Sequence, residues 1–369
     1  MVRLPATTFS RVLLVAVPFL GGACGGPGIP DGPESAALVW SAAPHLPAPV
    51  TNNAVAAVET DAGVSVFSFL GMDSTRSWAG VTNAAYRWDA AGAEGWREVT
   101  PVPGPGRLAA TAQVVDGRIY VLGGYTVAED GTERTLPNVD VYDPASDSWS
   151  RGADIPTPVD DAVGGVWRDS LIVLVSGWHD SGNVAAVQWY DPANDRWSQG
   201  TPLPGTPVFG HTGSLADDRI VYVDGAKVGD GEPRYTLSHE DWMARVNPDD
   251  PTDLEWSSLP PHPEPGLYRA AAGTLGGLAL FVGGTPNPYN YDGIGYDGVP
   301  SEPVRQVLAY APRAGRWQNL AAPPIPTMDH RNLGIAGGKV FLVGGMEEGQ
   351  RVSDKVWVAS VESLLATIW

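Results

Sequence analysis

Arg118-Ile-Tyr-Val-Leu-Gly-Gly124, followed by Val139-Asp-Val-Tyr-Asp-Pro144 and then by Trp149, decides how the chain is read. A short apolar run ends on a glycine pair, a second run ends on Tyr-Asp-Pro, and a tryptophan comes five residues after the proline. The same order returns in Leu171-Ile-Val-Leu-Val-Ser-Gly177, Trp189-Tyr-Asp-Pro192 and Trp197, and again in Leu280-Phe-Val-Gly-Gly284, Ala309-Tyr-Ala-Pro312 and Trp317. Tyrosine and tryptophan are seven residues apart in all three: Tyr142 and Trp149, Tyr190 and Trp197, Tyr310 and Trp317.

Three looser copies complete the series. Val64 to Gly71 leads to Tyr86-Arg-Trp-Asp89 and Trp96, Arg219 to Gly225 leads to Val246-Asn-Pro248 and Trp256, and Lys339 to Gly345 leads to Val356-Trp-Val358. Gly71, Gly124, Gly177, Gly225, Gly284 and Gly345 anchor the six copies at nearly regular intervals. A period near fifty with two Gly-terminated strands and a Trp in each unit resembles the kelch repeat. The resemblance runs from about Trp40 to Ala359 and implies an all-β chain folded as a six-bladed kelch-type β-propeller.

Within the second copy, Leu108–Val115 and Arg118–Leu122 read as a hairpin turning at Asp116-Gly117, a dipeptide suited to two positive-φ positions. Asn138–Tyr142 reads as the third strand and the segment around Trp149 as the fourth. The sixth copy lacks its outer strand. Ala36-Ala-Leu-Val-Trp40 can supply it, because Trp40 precedes Leu46-Pro47 by six residues, the interval that also separates Trp149 from Ile155-Pro156 and Trp197 from Leu203-Pro204. Such closure removes an exposed strand edge. Leu364–Trp369 is the other candidate for that place.

Residues 1–24 read as an export signal. Arg3 and Arg11 are basic, Val12–Leu20 is an apolar run, and Gly21-Gly-Ala-Cys24 offers small residues for cleavage. The run is shorter than the roughly 20 residues of a spanning helix. Cys24, the only cysteine of the chain, is placed much as in the lipobox of bacterial lipoproteins, although Leu20 stands four residues before it rather than three. The resemblance implies lipidation at Cys24; an ordinary signal with an incidental cysteine is the alternative. Residues 25–35, rich in Gly and Pro, read as a linker, and 36–369 as the propeller. The expected location is the cell envelope, with a lipid anchor as the only link to a membrane.

The chain has 23 basic and 42 acidic residues and a formal charge of −19, which becomes −21 without Arg3 and Arg11. Such a surface repels nucleic acid. One cysteine permits no intramolecular disulfide, so the fold must stand on packing.

The kelch resemblance implies that two sets of loops meet on one face above the central channel. One set carries Asn52, Asn53, Arg107, Asp160, Asp161, His211, Tyr268, Arg269, His330 and Arg331 at corresponding places, which should form a ring. Arg and His in such a ring suit a carboxylate or polyhydroxy ligand. A structural arginine is the competing reading, above all for Arg107. The other set includes Thr285–Gly298, with Tyr289, Tyr291, Asp292 and Tyr296. Its Tyr, Asn and Asp residues are those of sugar-binding surfaces, and a plug over the propeller is the alternative. Gly177–Ser181, with His179, and Glu240-Asp-Trp242 are smaller candidates.

No histidine pair, DxDxDG loop, Gly-x-Ser-x-Gly elbow or catalytic cysteine is present, so the reading assigns neither metal nor cofactor. Galactose oxidase-like chemistry needs a cysteine within the propeller, and Cys24 lies outside it. Gly225–Arg234 is loosely similar to a stretch of the sialic-acid mutarotases, where Lys227 and Arg234 match and Glu232, shifted, would have to serve as acid/base. The expectation is therefore a monomeric, non-catalytic binding module for a saccharide or for an envelope or extracellular protein. A mutarotase-type epimerase and a pure protein scaffold are the alternatives.

Overall fold

The computed structural model describes residues 38–263 and 265–361. The signal segment, Cys24, the linker and Leu364–Trp369 lie outside them. The described chain is almost wholly β, with six four-stranded antiparallel sheets arranged as the blades of a propeller.

Blade 2 shows how the repeat builds one sheet. Thr111–Val115 is innermost, followed by Arg118–Leu122, Val139–Asp143 and Ser148–Arg151. The Asp116-Gly117 turn takes φ of 48° and 70°, as that dipeptide requires. The innermost strand is shorter than the sequence suggests, because Leu108 leaves the sheet to bridge Tyr125 at the end of the blade. The seven-residue interval also has a cause. Tyr142 and Trp149, Tyr190 and Trp197, and Tyr310 and Trp317 are direct cross-strand partners around a tight turn. Their ring centroids lie 4.9, 4.9 and 4.7 Å apart.

The second strand of blade 2 is apolar from Ile119 to Leu122 because it is buried on both faces. Ile119 and Val121 pack towards blade 1, while Tyr120 and Leu122 pack towards blade 3. Each pair of neighbouring blades encloses its own apolar core, so six such cores encircle the channel. The tryptophans add a directional link. The indole Nε1 of Trp96, Trp149, Trp197 and Trp317 donates to the carbonyls of Pro44, Thr100, Ala153 and Pro260, each at 2.9 Å. Trp256 reaches Thr201 at 3.3 Å, and Trp40 reaches Ala321 at 2.7 Å. Every acceptor lies in the chain leaving the preceding blade. The tryptophan is therefore a stitch between blades as well as a wedge.

Trp40 completes this set because the N-terminal strand closes the ring. Leu38–Ala42 pairs antiparallel with Val356–Val361, from Leu38 opposite Val361 to Ala42 opposite Trp357. Leu38 is buried against blade 5 and blade 6 residues such as Leu280 and Leu342.

The glycine pairs stand where backbones meet. A Cβ on Gly123, Gly283 or Gly344 would lie 2.2, 2.2 or 2.4 Å from the carbonyl oxygen of Val159, Thr327 or Val50, in the chain entering the next blade. All three have φ near +66° to +69°, a region glycine enters at no steric cost. The next glycine donates its N–H to that same chain, as from Gly124 to Val159 and from Gly284 to Thr327.

A chain beginning at Ala43 lacks the closing strand, a buried leucine and one tryptophan stitch. Compared with a chain beginning at Ser35, it should lose at least about 3 kcal/mol in urea unfolding. It should also scatter light at concentrations where the longer chain stays clear, because the edge of Val356–Val361 is then unpaired.

Candidate functional site

Each blade is entered through one residue in the left-handed region: Asn52, Ala109, Asp161, Gly210, Arg269 and Asp329, with φ between 52° and 63°. These residues are joined in a closed circle of hydrogen bonds. Asp161 N–H donates to Ala109 O (3.1 Å), Gly210 to Asp161 (3.0 Å) and Arg269 to Gly210 (2.8 Å). His330 N–H donates to Arg269 O and Asn52 N–H to Asp329 O, both at 3.0 Å. The last link runs from Ala109 N–H to the Asn52 side chain, at 2.6 Å. The residue before each left-handed one bridges the residue that follows the glycine anchor: Thr51 and Met72, Leu108 and Tyr125, Asp160 and Trp178, Phe209 and Ala226, Tyr268 and Thr285, Met328 and Met346. The two expected loop sets therefore do meet on one face.

Side chains from the circle form a buried ionic cluster. Arg269, only 1% exposed, forks onto Asp161 (Nη2–Oδ2 2.7 Å, Nε–Oδ1 3.2 Å) and also reaches Asp329 (3.2 Å) and the Asn290 carbonyl (3.0 Å). Its guanidinium lies 5.1 Å from the ring centres of both Tyr268 and Tyr289. Arg331 pairs with Asp161, donates to Asn52 Oδ1 at 3.1 Å and bonds its neighbour's carbonyl at 2.6 Å. Asp329 also accepts from Thr51 Oγ1 (2.7 Å) and Asn52 Nδ2 (3.1 Å). Burial alone would raise Asp161, but the charges of Arg269 and Arg331 outweigh it and hold the carboxyl below its ordinary range. Two acids and two arginines balance, which makes so dry a cluster tolerable.

Beside the cluster a cavity of about 120 Å³ opens on the loop face, walled by Tyr125, Trp178, Phe209, Tyr235 and Tyr296. Glu133, Asp160, Asp161, Arg269 and Asn290 supply its polar side. Burial and the adjacent Asp161 charge push the Asp160 carboxyl far above its usual range; its Oδ2 accepts from Thr135 Oγ1 at 2.6 Å. Of the two adjacent acids, Asp160 is therefore the one that takes up a proton more readily. Glu133, bonded by Asn290 Nδ2 at 3.0 Å, is also raised, first by desolvation. The Tyr125 hydroxyl is buried and has no hydrogen-bond partner among the described residues. A buried donor of this kind is satisfied by water or by a ligand.

The sequence-derived candidates scatter. Asp161, Arg269 and Tyr296 line the cavity. Arg331 belongs to the cluster, through Asp161. Tyr289 is fully buried in the apolar satellite core of Phe209, Met328 and Met346. The loop it belongs to is therefore a plug that also lends Asn290 and Tyr296 to the cavity. Tyr291 packs beside Met72, Leu108 and Tyr125. Asp292 turns its carboxylate onto the N–H of Ile294 (3.0 Å), and its carbonyl accepts from Arg76 (2.7 Å).

Arg107 is fully buried within blade 2, where it pairs with Asp140 at 2.8 Å, away from the cavity. His179 Nδ1 meets Pro158 O at 2.8 Å and His211 Nε2 meets Val175 O at 2.9 Å. His330 Nε2 bonds Thr327 Oγ1 at 2.7 Å. Glu232 and Arg234 sit at the tip of the hairpin Ala226–Val228/Tyr235–Leu237, with Arg234 over the Tyr235 ring at 5.2 Å. Sequence reasoning missed Tyr125, Glu133, Phe209 and Tyr235. For Tyr125 the signal was present, since it directly follows a glycine anchor, as Trp178 does in the candidate stretch Gly177–Ser181.

Comparison with known proteins agrees with this architecture. The Kelch motif family model matches residues 106–156, the entry to blade 2 and its four strands. The chain thus carries a Kelch motif over these residues, within a β-propeller of six blades. The solved structure titled "Structure of YjhT" superposes with a TM-score of 0.68 at 18% identity, covering 87% of this chain and 99% of that one. At that identity the likeness concerns the fold. No curated protein matches the sequence.

Burial lowers His211 to about 4 and His330 to about 3, so both are neutral when folded. A lowered histidine contributes stability that is complete above the unfolded pKa near 6.5 and is lost as pH falls from there towards 4. Each loses about 1.4 kcal/mol per pH unit in that window. Asp160, raised, acts in the opposite direction. Melting temperature followed from pH 7 to pH 4.5 should therefore fall less steeply in the double variant His211→Gln/His330→Gln than in the parent chain.

Proposed function

We propose that this propeller is a non-catalytic binding module and that the loop-face cavity takes one ring of a neutral carbohydrate. The kelch propeller itself supports a binding or scaffolding role. The cavity carries the finer reading: five aromatic side chains face a polar side with the carboxyls of Asp160 and Glu133 and an unpartnered hydroxyl, Tyr125. Aromatic rings cover the C–H faces of a sugar, while carboxyl and hydroxyl groups exchange hydrogen bonds with its hydroxyls. The volume, below the roughly 300 Å³ of the smallest drug-sized sites, suits a single ring or a chain end. Arg269 is the cation lining the cavity, and it is already bound to Asp161 and Asp329. A polyhydroxy ligand is thus favoured over a carboxylated one.

Export, acylation of Cys24 and an envelope location belong to the same proposal. They would set the module at a surface where saccharides and envelope proteins are met. A second reading, mutarotation at the anomeric carbon of a bound sugar, is favoured by the raised Glu133 and Asp160 in the cavity. On that reading they would replace Glu232 as acid/base groups.

Titration calorimetry against neutral monosaccharides should find a ligand whose affinity drops at least tenfold in Trp178→Ala and in Tyr235→Ala, about 1.4 kcal/mol. Both residues are half-buried, so folding should be kept, as far-UV circular dichroism will show. If no sugar binds, the cavity is not a saccharide site and a protein partner becomes the better reading. If a bound sugar exchanges anomers faster with the parent chain than with Glu133→Gln, the second reading replaces the first.

A further inference from the structure

Blade 4 places a charge where its neighbours place none. The position held by Gly123, Gly283 and Gly344 in blades 2, 5 and 6, and by Leu70 and Ser176 in blades 1 and 3, is held by Asp224, also left-handed with φ of 54°. Its side chain projects towards the chain that enters blade 5. Oδ2 accepts from Leu267 N–H at 2.6 Å and lies 2.8 Å from His262 Nε2. Asp241, at the start of the third strand of blade 4, accepts from His262 N–H through Oδ2 at 3.1 Å. Asp224 and Asp241 are 1% and 5% exposed, and the His262 side chain 4%. One donor atom from each of the three residues lies within 4.8 Å of the others.

Two features of this cluster ask for a cation. His262 Nδ1 lies 2.8 Å from Pro263 O. A carbonyl only accepts, so Nδ1 carries the proton, and the neutral ring turns the lone pair of Nε2 towards the Asp224 carboxylate. Two acceptors in such close contact need a proton or a metal ion between them. In addition, Asp224 Oδ1 and Asp241 Oδ1 are both buried with no hydrogen-bond partner among the described residues. Without a metal, a proton on Nε2 has to fill the contact with Asp224. That proton on Nε2 answers the first contact and leaves both Oδ1 atoms unsatisfied. A metal ion, displacing the proton, answers all three residues together.

We propose that Asp224, Asp241 and His262 bind one divalent transition-metal ion, of which zinc is the best fit. Two carboxylates and an imidazole match the ligand preferences of Zn²⁺, whereas Ca²⁺ takes six to eight oxygens. Bonds of about 2.1 Å in a tetrahedron place ligand atoms about 3.4 Å apart. The Asp224–His262 contact of 2.8 Å therefore has to open by about 0.6 Å, and the wider separations have to close. The Nδ1–carbonyl bond is the outer contact that commonly orients a ligating histidine. The ligand loop is stiff, because Pro260, Pro261 and Pro263 flank His262 and fix the local backbone. His262 also packs edge-on against Trp317 of blade 5 at 5.7 Å. The ion would thus clamp blade 4 to the chain entering blade 5 at His262, seven residues before Arg269. Its role is structural.

The full chain, stripped with a chelator, is titrated with zinc chloride by calorimetry. One ion per chain is expected, with a rise in melting temperature. Asp241→Asn, nearly isosteric, and His262→Gln should each weaken binding at least a hundredfold, while Cys24→Ser and His45→Gln leave it unchanged. ¹⁵N spectra of the histidine rings give a reading without any substitution: zinc should shift the His262 Nε2 signal and spare Nδ1. The proposal is overturned by the lack of a stoichiometric site, by binding that survives both variants, or by a His262 signal that zinc leaves unmoved.

Discussion

Six residues held in left-handed backbone, joined by hydrogen bonds from blade to blade, fix the mouth of this propeller. The conformation costs a non-glycine residue about 1 kcal/mol, least for Asn and Asp. Asn52, Asp161, Gly210 and Asp329 are thus well chosen, whereas Ala109 and Arg269 are not. Their conformation persists because the neighbouring blades supply both partners of every link. The circle has no free end, so each blade constrains the next. The indole stitches at the outer edge repeat the same logic at a larger radius.

The circle also explains why charged groups stand at the centre of an apolar fold. The left-handed turn directs the side chains of Asp161, Arg269 and Asp329 towards one another over the channel, where water is largely excluded. An arginine there is held by charge and by geometry at once: burial disfavours the cation, but Asp161 and Asp329 keep it ionised. Removing one partner would strand the other, a loss of about 3–5 kcal/mol for buried pairs. The ions therefore serve the frame first. What remains for a ligand is the neighbouring aromatic pocket, whose hydrogen-bonding groups are not all committed.

The repeats made the fold legible. Glycine anchors, the Tyr–Trp interval and the Leu-Pro spacing after Trp40 are each consequences of strand register or backbone contact, so counting them amounted to counting blades. The position of the loop-face ring was legible for the same reason. Side-chain direction was not. Arg107 and Arg269 occupy neighbouring places in equivalent repeats, yet a shift of two residues sends one into its own blade and the other over the channel. Tyr289 looked like a stacking surface and is instead the buried root of a plug. The Asp224, Asp241 and His262 group left no sequence signal, since its members stand far apart along the chain and no spacing rule joins them.

Near-sixfold symmetry itself carries no chemistry; it makes departures from symmetry informative. The connection between second and third strands is longest in blade 5, from Gly283 to Gln306, and this is the segment that plugs the mouth and completes the cavity. Blade 4 carries Asp224 where blades 2, 5 and 6 have no room for a side chain. Both changes fall on the two blades around Arg269. The carboxylate of Asp224 fits there because the chain entering blade 5 turns its Leu267 N–H, rather than a carbonyl oxygen, towards it. A contact that elsewhere only excludes a Cβ has become an acceptor site. The same steric rule that sets the glycines thus explains why an acid can occupy this place and why it meets a histidine there.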